Sequence, residues 1–385
     1  MEMANPSRSS GPGELAEALR ATRQRTLGLM QAWQAALPDL TVPPLPGVNP
    51  PLWEWGHIAW FQEWWTVRNP QRYEGTRSAS SGDGFTPSQM PHADALYNSS
   101  EVGHDSRWSL PLPDLELTQQ YMANVLAHSM LGLQAAPDVR DESLYFWRLA
   151  MQHEAMHNEA AVYMAQDLGL ALPKALCVGH ALPCADLNSS LTGLHIAAQT
   201  LNLGHSGPGF AFDNECPAHT VKLTAFEIDA NVVTWAQYLP FLQETGYALP
   251  PHVRCLQGVW QVQGFGDWQA VPMGAPVVHV NAWDAQAWCQ WAGRRLPTEA
   301  EWVGAVNTVG FVWGHVWEWT ADDFAPYPGF VPHPYREYSE PWWHGHRVLK
   351  GACWATSQHL ADVRYRNFFV PERRDIFAGF RSVAL

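Results

Sequence analysis

The sequence lacks paired cysteines, long apolar runs and a basic tail. Its six cysteines are spread along the chain: Cys177, Cys184, Cys216, Cys255, Cys289 and Cys353. Since no two form a CxxC pair, reduced and mostly buried thiols are favoured over a disulfide framework or a zinc ribbon. No stretch approaches the ~20 apolar residues that a membrane span needs, and the N-terminus has no run of signal-peptide length. We therefore expect a soluble, cytoplasmic protein with no membrane partner.

Basic residues are also scarce, and the formal net charge is −14. This balance argues against sequence-independent binding of nucleic acid, which depends on basic patches. A chain of 385 residues exceeds what one core usually organises, so two domains are expected. The abundant residue is tryptophan: 21 Trp outnumber 15 Phe and 11 Tyr, with 17 His beside them.

The first half has the periodicity of helices. Apolar residues recur every three or four positions in four segments: 14–37, 52–69, 117–134 and 142–170. Four amphipathic helices predict a bundle. The polar segment between the second and third, Arg77 to Pro113, is too long for an idle connection, so it is either a loop facing substrate or a solvated crossover.

The second half is rich in Gly, Trp and turn residues, and its periodic runs are short. Residues 232–247 and 282–293 predict two short helices, and the remainder predicts short strands and irregular loops. A boundary is expected near 175–195. The fold class is therefore α+β with two domains, a helical bundle over 12–180 and a second domain over 195–385.

Two histidines in the fourth helix have the spacing of a metal site. His153 and His157, four residues apart, lie on one face of a helix, although such a pair also occurs on a satisfied helical surface. Glu159 lies about 200° around the helix from His157, which makes it a supporting group rather than a ligand. His57, on an apolar Trp-rich helix, is the candidate third ligand. Three imidazoles suit Fe(II) or Zn(II).

Several strings resemble known families. GHIAWFQEWW followed by HEAMHNE resembles the DinB-type bundle of the ergothioneine-pathway sulfoxide synthases, whose pattern is one upstream His plus His-x3-His-x-Glu. FDNECPAHTVKL, GRRLPTEAEW, GHVWEWTADDF, VLKGACWATS and RYRNFF resemble the formylglycine-generating-enzyme-like domain. The resemblance implies a DinB-like four-helix bundle, a C-type-lectin-like second domain with little regular structure, and a nonheme Fe(II) centre held by His57, His153 and His157 that uses O2.

The resemblance does not extend to cysteine oxidation. Formylglycine-generating enzymes carry two active-site cysteines after the motif that ends here at Trp354, and this chain has Thr356 and Ala361 at those positions. Cys353, just before the Trp, is expected to pack rather than react.

The site residues of the sulfoxide synthases map onto the second half. Their catalytic tyrosine corresponds to Tyr335, with Tyr338 as the alternative if a gap shifts the register. Their Asn-Trp-Asp motif, which binds hercynine and the γ-glutamylcysteine donor, corresponds to Asn367, Phe368 and Phe369. Because Phe replaces the acidic residue, the family's contact to that donor is missing.

The implied reaction joins hercynine to a selenium donor. The strings NPPLWEWGHIAWFQEWWTVRNPQR and RNFFVPERRDIFAGFR are closest to the selenoneine-synthase branch, which links the imidazole C2 of hercynine to a selenosugar. A neutral aromatic pocket suits a sugar better than a charged dipeptide. Phe368 and nearby Trp residues are candidates to contact the trimethylammonium group of hercynine. Arg373 either holds a substrate group or forms an ion pair with Glu372 or Asp375.

Three alternatives remain open from the sequence. The first is a sulfoxide synthase that uses γ-glutamylcysteine or cysteine as the thiol donor. The second is a DinB-type zinc protein acting as a thiol-dependent transferase, and the third is a non-enzymatic lectin-like binding protein. The fold alone does not choose among them.

Overall fold

The computed structural model describes residues 5–79, 82–179 and 193–385. Cys184 and much of the predicted boundary segment lie outside the described residues. The helices in this part of the chain are α1 (Pro12–Ala36), α2 (Pro51–Glu63), α3 (Ala93–Tyr97), α4 (Leu115–Gln134), α5 (Asp141–Asp167), α6 (Lys174–Cys177), α7 (Trp235–Thr245), α8 (Ala282–Trp291) and α9 (Glu299–Ala305).

The four long helices predicted in the first half are confirmed as α1, α2, α4 and α5. Their starts follow the usual local rules: Pro12 and Pro51 occupy the first turns of α1 and α2, and the Asp114 side chain accepts a hydrogen bond from the Leu117 amide at the start of α4. The packing pairs α2 with α4 and α1 with α5.

Helix α2 has almost no solvent face. All of its residues except Leu52 are buried, the polar Glu54 and His57 included. A helix that is apolar on every side belongs inside a protein, so its few polar side chains must find partners there. After Glu63 the chain continues in a π-helical turn, Trp64–Arg68.

The strands begin at Gly193. They are β1 (Gly193–Ile196), β2 (Gln199–Leu203), β3 (His219–Leu223), β4 (Phe226–Asp229), β5 (Val253–Leu256), β6 (Val259–Gly264), β7 (Asp267–Ala270), β8 (Arg294–Arg295), β9 (Trp317–Asp323), β10 (Arg347–Gly351), β11 (Asn367–Phe369), β12 (Ala378–Gly379) and β13 (Val383–Ala384). They form two four-stranded sheets, in the orders β1-β4-β13-β8 and β11-β10-β9-β12, the pair β2-β3 and the meander β5-β6-β7. Only β12 and β9 pair in parallel among these strands. The mixture of helices and small sheets confirms the α+β class.

The two short helices predicted in the second half are confirmed as α7 and α8. The third, α9, was not predicted. It begins at Thr298, whose side chain accepts a hydrogen bond from the Glu301 amide while the Glu301 carboxylate accepts from the Thr298 amide. This reciprocal arrangement is a capping box, and the sequence TEAE already contained it.

Helix α5 connects the two halves. The indole of Trp317 on β9 donates to Glu159 at 2.6 Å, and Gln166 hydrogen-bonds both the Gln263 carbonyl and the Phe265 amide of the meander. Buried apolar residues of both halves form one continuous cluster. At 100° per residue, Glu159 and Gln166 lie on a different side of α5 from His153 and His157, whose rings contact α2.

The segment before α1 also belongs to this junction. Arg8 is buried and pairs with Glu215 at 2.5 Å and with Asp362 at 3.2 Å.

Within the described ranges, no helix has both the length and the apolar character needed to cross a bilayer. None of the five described cysteines forms a disulfide.

Candidate metal centre

The three predicted histidines come together although they lie on two helices. His57 projects from α2, and His153 and His157 project one turn apart from α5. The Nε2 atom of His153 is 3.2 Å from Nε2 of His57 and 3.2 Å from Nε2 of His157. Together they are the described group of ligand-type side chains that converges closely enough for one ion, with the nitrogens within 4.8 Å of one another.

Hydrogen bonds at the far side of two rings fix their orientation. Nδ1 of His57 lies 2.8 Å from the Tyr97 carbonyl, and Nδ1 of His157 lies 2.5 Å from a carboxylate oxygen of Glu54. Because a carbonyl and a carboxylate only accept, each Nδ1 carries the proton. The lone pair of each Nε2 then points into the centre, as in carboxylate-histidine-metal triads.

Burial keeps the imidazoles of His57 and His153 uncharged. Burial and the neighbouring His157 lower the pKa of His57 to about 3, and they hold the pKa of His153 well below its ordinary range. Burial alone would raise the pKa of Glu54, but His157, His57 and Asn49 around it lower that pKa to about 2. Neutral imidazoles beside an ionised carboxylate are the state that binds a divalent ion.

A metal ion fits these atoms. Imidazole nitrogens bind zinc-sized ions at about 2.0–2.1 Å, so two ligands at an angle of about 90–110° are about 3.0–3.4 Å apart. Both Nε2 separations from His153 fall in that interval, at 3.2 Å. The donor set of three imidazoles is compatible with iron or zinc and leaves coordination positions open.

His153 is held differently from the other two ligands. Its Nδ1 has no hydrogen-bond partner among the described residues, and its ring stacks flat on Phe61, with centroids 3.6 Å apart and 8° between the planes. Packing rather than a hydrogen bond therefore sets this ring.

The tryptophans of α2 enclose His57. Trp53 stacks on the imidazole at 4.8 Å with 7° between planes, and Trp60 lies at 5.8 Å. The residue just before His57, Gly56, leaves room for Tyr97, whose ring would be only 2.2 Å from a Cβ at position 56. The glycine thus lets the Tyr97 carbonyl reach His57.

A cavity of about 210 Å³ opens beside His157, between α5 and the second half. It is lined by aromatic side chains with a few polar groups: Met156, His157, Glu159, Ala160, Tyr163, Trp317, Tyr338, Leu360, Tyr365, Asn367, Phe368 and Phe369. The predicted motif 367–369 and a predicted ligand therefore share one cavity. A larger cavity of about 590 Å³ lies between α5 and the meander, and it contains none of the predicted site residues.

The two candidate tyrosines occupy different positions. Tyr338 lines the cavity, and its hydroxyl lies 2.9 Å from the Tyr365 hydroxyl, which donates to the Met156 sulfur at 3.2 Å. The ring of Tyr335 lies 6.4 Å from that of His153 and 5.9 Å from that of Tyr338. Burial raises the pKa of Tyr335, Tyr338 and Tyr365, so all three keep their protons at neutral pH.

Tyr335 borders a second cavity of about 240 Å³. Its other walls are aromatic residues of the α2 end, Glu337, and the backbone and side chains of residues 98–101 from the long connection. The ring of Phe61 lies 4.8 Å from Tyr335 and separates this cavity from His153. The connection between α2 and α4 therefore approaches the metal centre.

Arg373 lies behind the cavity wall. Its guanidinium pairs with Asp375 and lies 4.6 Å from the ring centre of Phe369 and 5.5 Å from that of Tyr163. The ion pair with Asp375 is one of the two alternatives expected for this arginine. Cys353 is buried, with its sulfur 3.3 Å from the Thr356 hydroxyl.

Sequence reasoning missed Glu54, Tyr97, Tyr163 and Tyr365. Glu54 is one turn before His57, so its helical spacing was a usable signal. Nothing local marked Tyr97 or Tyr365, since their roles arise from tertiary packing. Glu159 is placed as expected, outside the ligand group, with its carboxyl accepting from Trp317 and its pKa raised by burial.

Comparisons with known proteins agree with this layout. Residues 193–313 and 306–384 match the sulfatase-modifying factor enzyme 1-like domain. A formylglycine-generating enzyme of Streptomyces coelicolor is 30% identical over 190 residues, which cover 41% of this chain and 60% of that protein.

Two relatives align along both halves. The hercynine oxygenase of Mycobacterium tuberculosis is 29% identical, with 97% of this chain and 99% of the relative covered. The hercynine oxygenase of Mycolicibacterium smegmatis is 30% identical, with 95% of this chain and 97% of the relative covered. The helical half with its three histidines is thus part of the likeness, and the chain belongs to the hercynine oxygenase family.

Proposed function

We propose that the protein is a nonheme Fe(II)- and O2-dependent enzyme that joins the imidazole C2 of hercynine to the selenium of a selenosugar. The observation that carries the proposal is the convergence of three Nε2 atoms beside an aromatic cavity that also contains Asn367, Phe368 and Phe369. Membership of the hercynine oxygenase family supports hercynine as one substrate and an oxygen-dependent reaction.

In this proposal His57, His153 and His157 hold the iron. When bound, Fe(II) would supply open coordination positions for O2 and the substrates, which brings the reactants together at one point. Glu54 and the Tyr97 carbonyl keep the Nδ1 protons in place, so the lone pairs of two ligands stay directed at the ion. The DinB-like identity of the bundle is part of this proposal.

The cavity suits the quaternary ammonium group of hercynine. Such a cation is attracted to aromatic faces, and Tyr163, Trp317 and Phe368 supply them in the cavity wall. Glu159 adds a carboxyl group at the same wall. Its pKa is raised by burial, and a bound cation would favour the ionised form. Asn367 offers its amide for the remaining polar contact.

The tyrosines supply protons in the proposal. Tyr335 is the proposed donor, and Tyr338 is the alternative because it lines the cavity. Their raised pKa values mean that each hydroxyl is protonated and can donate to an oxygen that becomes basic during the reaction.

The cavity favours a neutral donor over a dipeptide thiol. None of the described residues lining it is Lys or Arg, and the adjacent Arg373 is neutralised by Asp375 behind Phe369. A donor with two carboxylates would find no cation to pair with there, and it would meet the carboxyl of Glu159. A sugar can place its apolar face on the Phe369 ring.

The test is anaerobic reconstitution with Fe(II), followed by oxygen and hercynine with alternative donors, with mass spectrometry of the products. The proposal expects coupling to 1-seleno-N-acetylglucosamine at a higher rate than to γ-glutamylcysteine or cysteine. The Phe369→Asp variant should lose part of this preference. Faster coupling to either thiol would overturn the selenium assignment and leave the hercynine reaction standing.

A sulfur donor is the second candidate, since the relatives aligned along both halves are hercynine oxygenases. A zinc-dependent thiol transferase predicts a different result. Protein purified without oxygen would then contain zinc, and it would consume no O2 with hercynine and any donor. A pure binding module would show neither metal-dependent turnover nor O2 consumption.

A further inference from the structure

The long connection between α2 and α4 contacts the surroundings of two metal ligands. The Tyr97 carbonyl binds Nδ1 of His57, and the Leu96 carbonyl accepts from the indole of Trp53 at 2.8 Å. Farther along, the short helical turn 104–109 places Arg107 over the same tryptophan. The connection therefore contributes specific backbone and side-chain contacts to the surroundings of the metal centre.

Arg107 begins a chain of hydrogen bonds that ends at His157. Its guanidinium donates to Oδ1 of Asn49 at 2.7 Å, and Nδ2 of Asn49 donates to Oε1 of Glu54 at 2.5 Å. The other oxygen of Glu54 accepts from Nδ1 of His157. The direction of each bond depends on the previous one, because an amide turned the other way would present its oxygen to the carboxylate and its NH2 to the guanidinium.

Arg107 also reaches His57 through an aromatic stack. Its guanidinium carbon lies 3.7 Å from the ring centre of Trp53, and Trp53 lies almost parallel to the imidazole of His57. A planar cation on one face of the indole and an imidazole on the other hold the indole between them. The two paths leave the same side chain and end on different ligands.

We propose that Arg107 is a positioning residue that sets the metal affinity of the three-histidine centre. It fixes the Asn49 amide, and through it the Glu54 carboxylate on His157, while it holds Trp53 against His57. Folding of the long connection onto α2 thereby prepares the centre before metal arrives. The inference rests on the histidine ligands of the proposed function and is independent of the donor and the reaction.

The geometry also predicts which replacement of Arg107 fails. Lys keeps the charge but has a single ammonium in place of a planar fork, so it cannot donate to Asn49 and lie flat on Trp53 at once. Leu removes both contacts. We expect Co(II) and Fe(II), titrated anaerobically, to bind Arg107→Leu about 10–100-fold more weakly than the wild type, the range found for outer contacts of metal ligands. Arg107→Lys should recover only part of that affinity.

Trp108→Phe is the matched control. Trp108 is the next residue of the same turn, and its indole donates to the Val42 carbonyl at 2.8 Å, away from Asn49 and Trp53. This variant should remove one hydrogen bond of the connection and leave the metal affinity unchanged. Asn49→Ala should weaken binding, and adding Arg107→Leu to it should cost less than in the wild type, since the two residues share one path.

The ligand-field absorption of bound Co(II) gives a readout independent of turnover. It should change in Arg107→Leu while the circular dichroism of the metal-free protein stays as in the wild type. Wild-type affinity in Arg107→Leu would overturn the proposal, and so would an equal loss in Trp108→Phe. If instead His153→Ala binds Co(II) as the wild type does, the ligand assignment itself fails, and the proposed function fails with it.

Discussion

The two walls of the candidate site are built by different means. The helical wall carries its histidines on α2 and α5, and two of them are fixed by the hydrogen bonds that they donate to buried groups. The opposite wall consists of a three-residue strand, 367–369, and an irregular segment that carries Tyr335 and Tyr338. Aromatic rings pack against one another along it, Tyr335 on Tyr338 and Tyr338 on Phe368. The first wall is thus suited to hold an ion in one geometry, and the second can change its substrate contacts with little effect on the metal.

Removing a metal ligand should produce the largest effect, and it should distinguish the roles of the two walls most clearly. We expect His153→Ala and His157→Ala to lose retained iron after anaerobic loading and desalting, measured as metal per chain, because two imidazoles leave an incomplete donor set. Asn367→Ala on the opposite wall should retain iron.

The exposed His128 on α4 provides a control for loss of a helical histidine, because its Nδ1 contacts only the Asn124 carbonyl of its own helix. His128→Ala should bind iron as the wild type does. One iron per chain in His153→Ala would show that the helical wall does not hold the metal as described.

Gly56→Ala should have the next largest effect. Alanine favours a helix over glycine by about 1 kcal/mol, but overpacking costs about 1–3 kcal/mol, and the fully buried Tyr97 ring leaves no room for a Cβ at 2.2 Å. Tyr97 would move, and its carbonyl would leave His57. We expect lower thermal stability and about 10–100-fold weaker metal binding.

Gly13→Ala provides the matched control, since no atom lies within 4 Å of a Cβ at that position of α1. It should keep or raise stability and leave metal affinity unchanged. Unaltered metal binding in a folded Gly56→Ala protein would mean that the Tyr97 contact does not orient His57.

The difference between the two walls explains which site residues could be predicted from the sequence. Residues three or four positions apart lie on the same face of a helix, so His153 and His157 could be paired from their positions alone. By the same rule, Glu54 could have been predicted to lie on the face of α2 that carries His57. The long helices followed from that periodicity as well. Tyr97 and Arg107 lie in a connection without periodicity, and their places depend on how it folds over α2.

The residues of the opposite wall were predicted from their resemblance to a family motif rather than from periodicity in the sequence. Asn367, Phe368 and Phe369 were found only because their string resembles a family motif, and the structure places all three in the cavity with His157. Tyr365 pairs with Tyr338 across 27 positions of chain, and no local rule links them. Side chains on short strands and loops meet through tertiary packing, which sequence spacing does not encode.

Replacing the tyrosines should separate their roles without removing the metal. Tyr335→Phe should keep iron and change the partition between coupled product and oxidised donor, because a proton donor is lost while the ring remains. Tyr338→Phe loses the contact with Tyr365, which is worth about 1 kcal/mol, and should change the partition less. The measurement is mass spectrometry of both products. If Tyr335→Phe leaves turnover and products unchanged, Tyr335 is not the proton donor. A changed product partition in Tyr338→Phe would then assign that role to Tyr338.

The smallest effect, a change in the free energy of unfolding, is expected at Asp213, which hydrogen-bonds the segment that carries Tyr338. Ser339, next to Tyr338, donates to Asp213 at 2.5 Å, and burial raises the pKa of this carboxyl to about 6 from an ordinary 3.8. A carboxyl with a raised pKa binds its proton more tightly in the folded state, so its favourable contribution is complete below pH 3.8 and is lost as the pH rises through about 6.

Asp213→Asn retains an oxygen to accept from Ser339 but cannot ionise. The unfolding free energy of this variant, relative to the wild type, should therefore rise between about pH 4 and 6 by at most about 1.4 kcal/mol per pH unit and then level off. Denaturant titrations across that range measure it. A difference independent of pH would mean that burial does not raise the pKa of Asp213 in the folded protein.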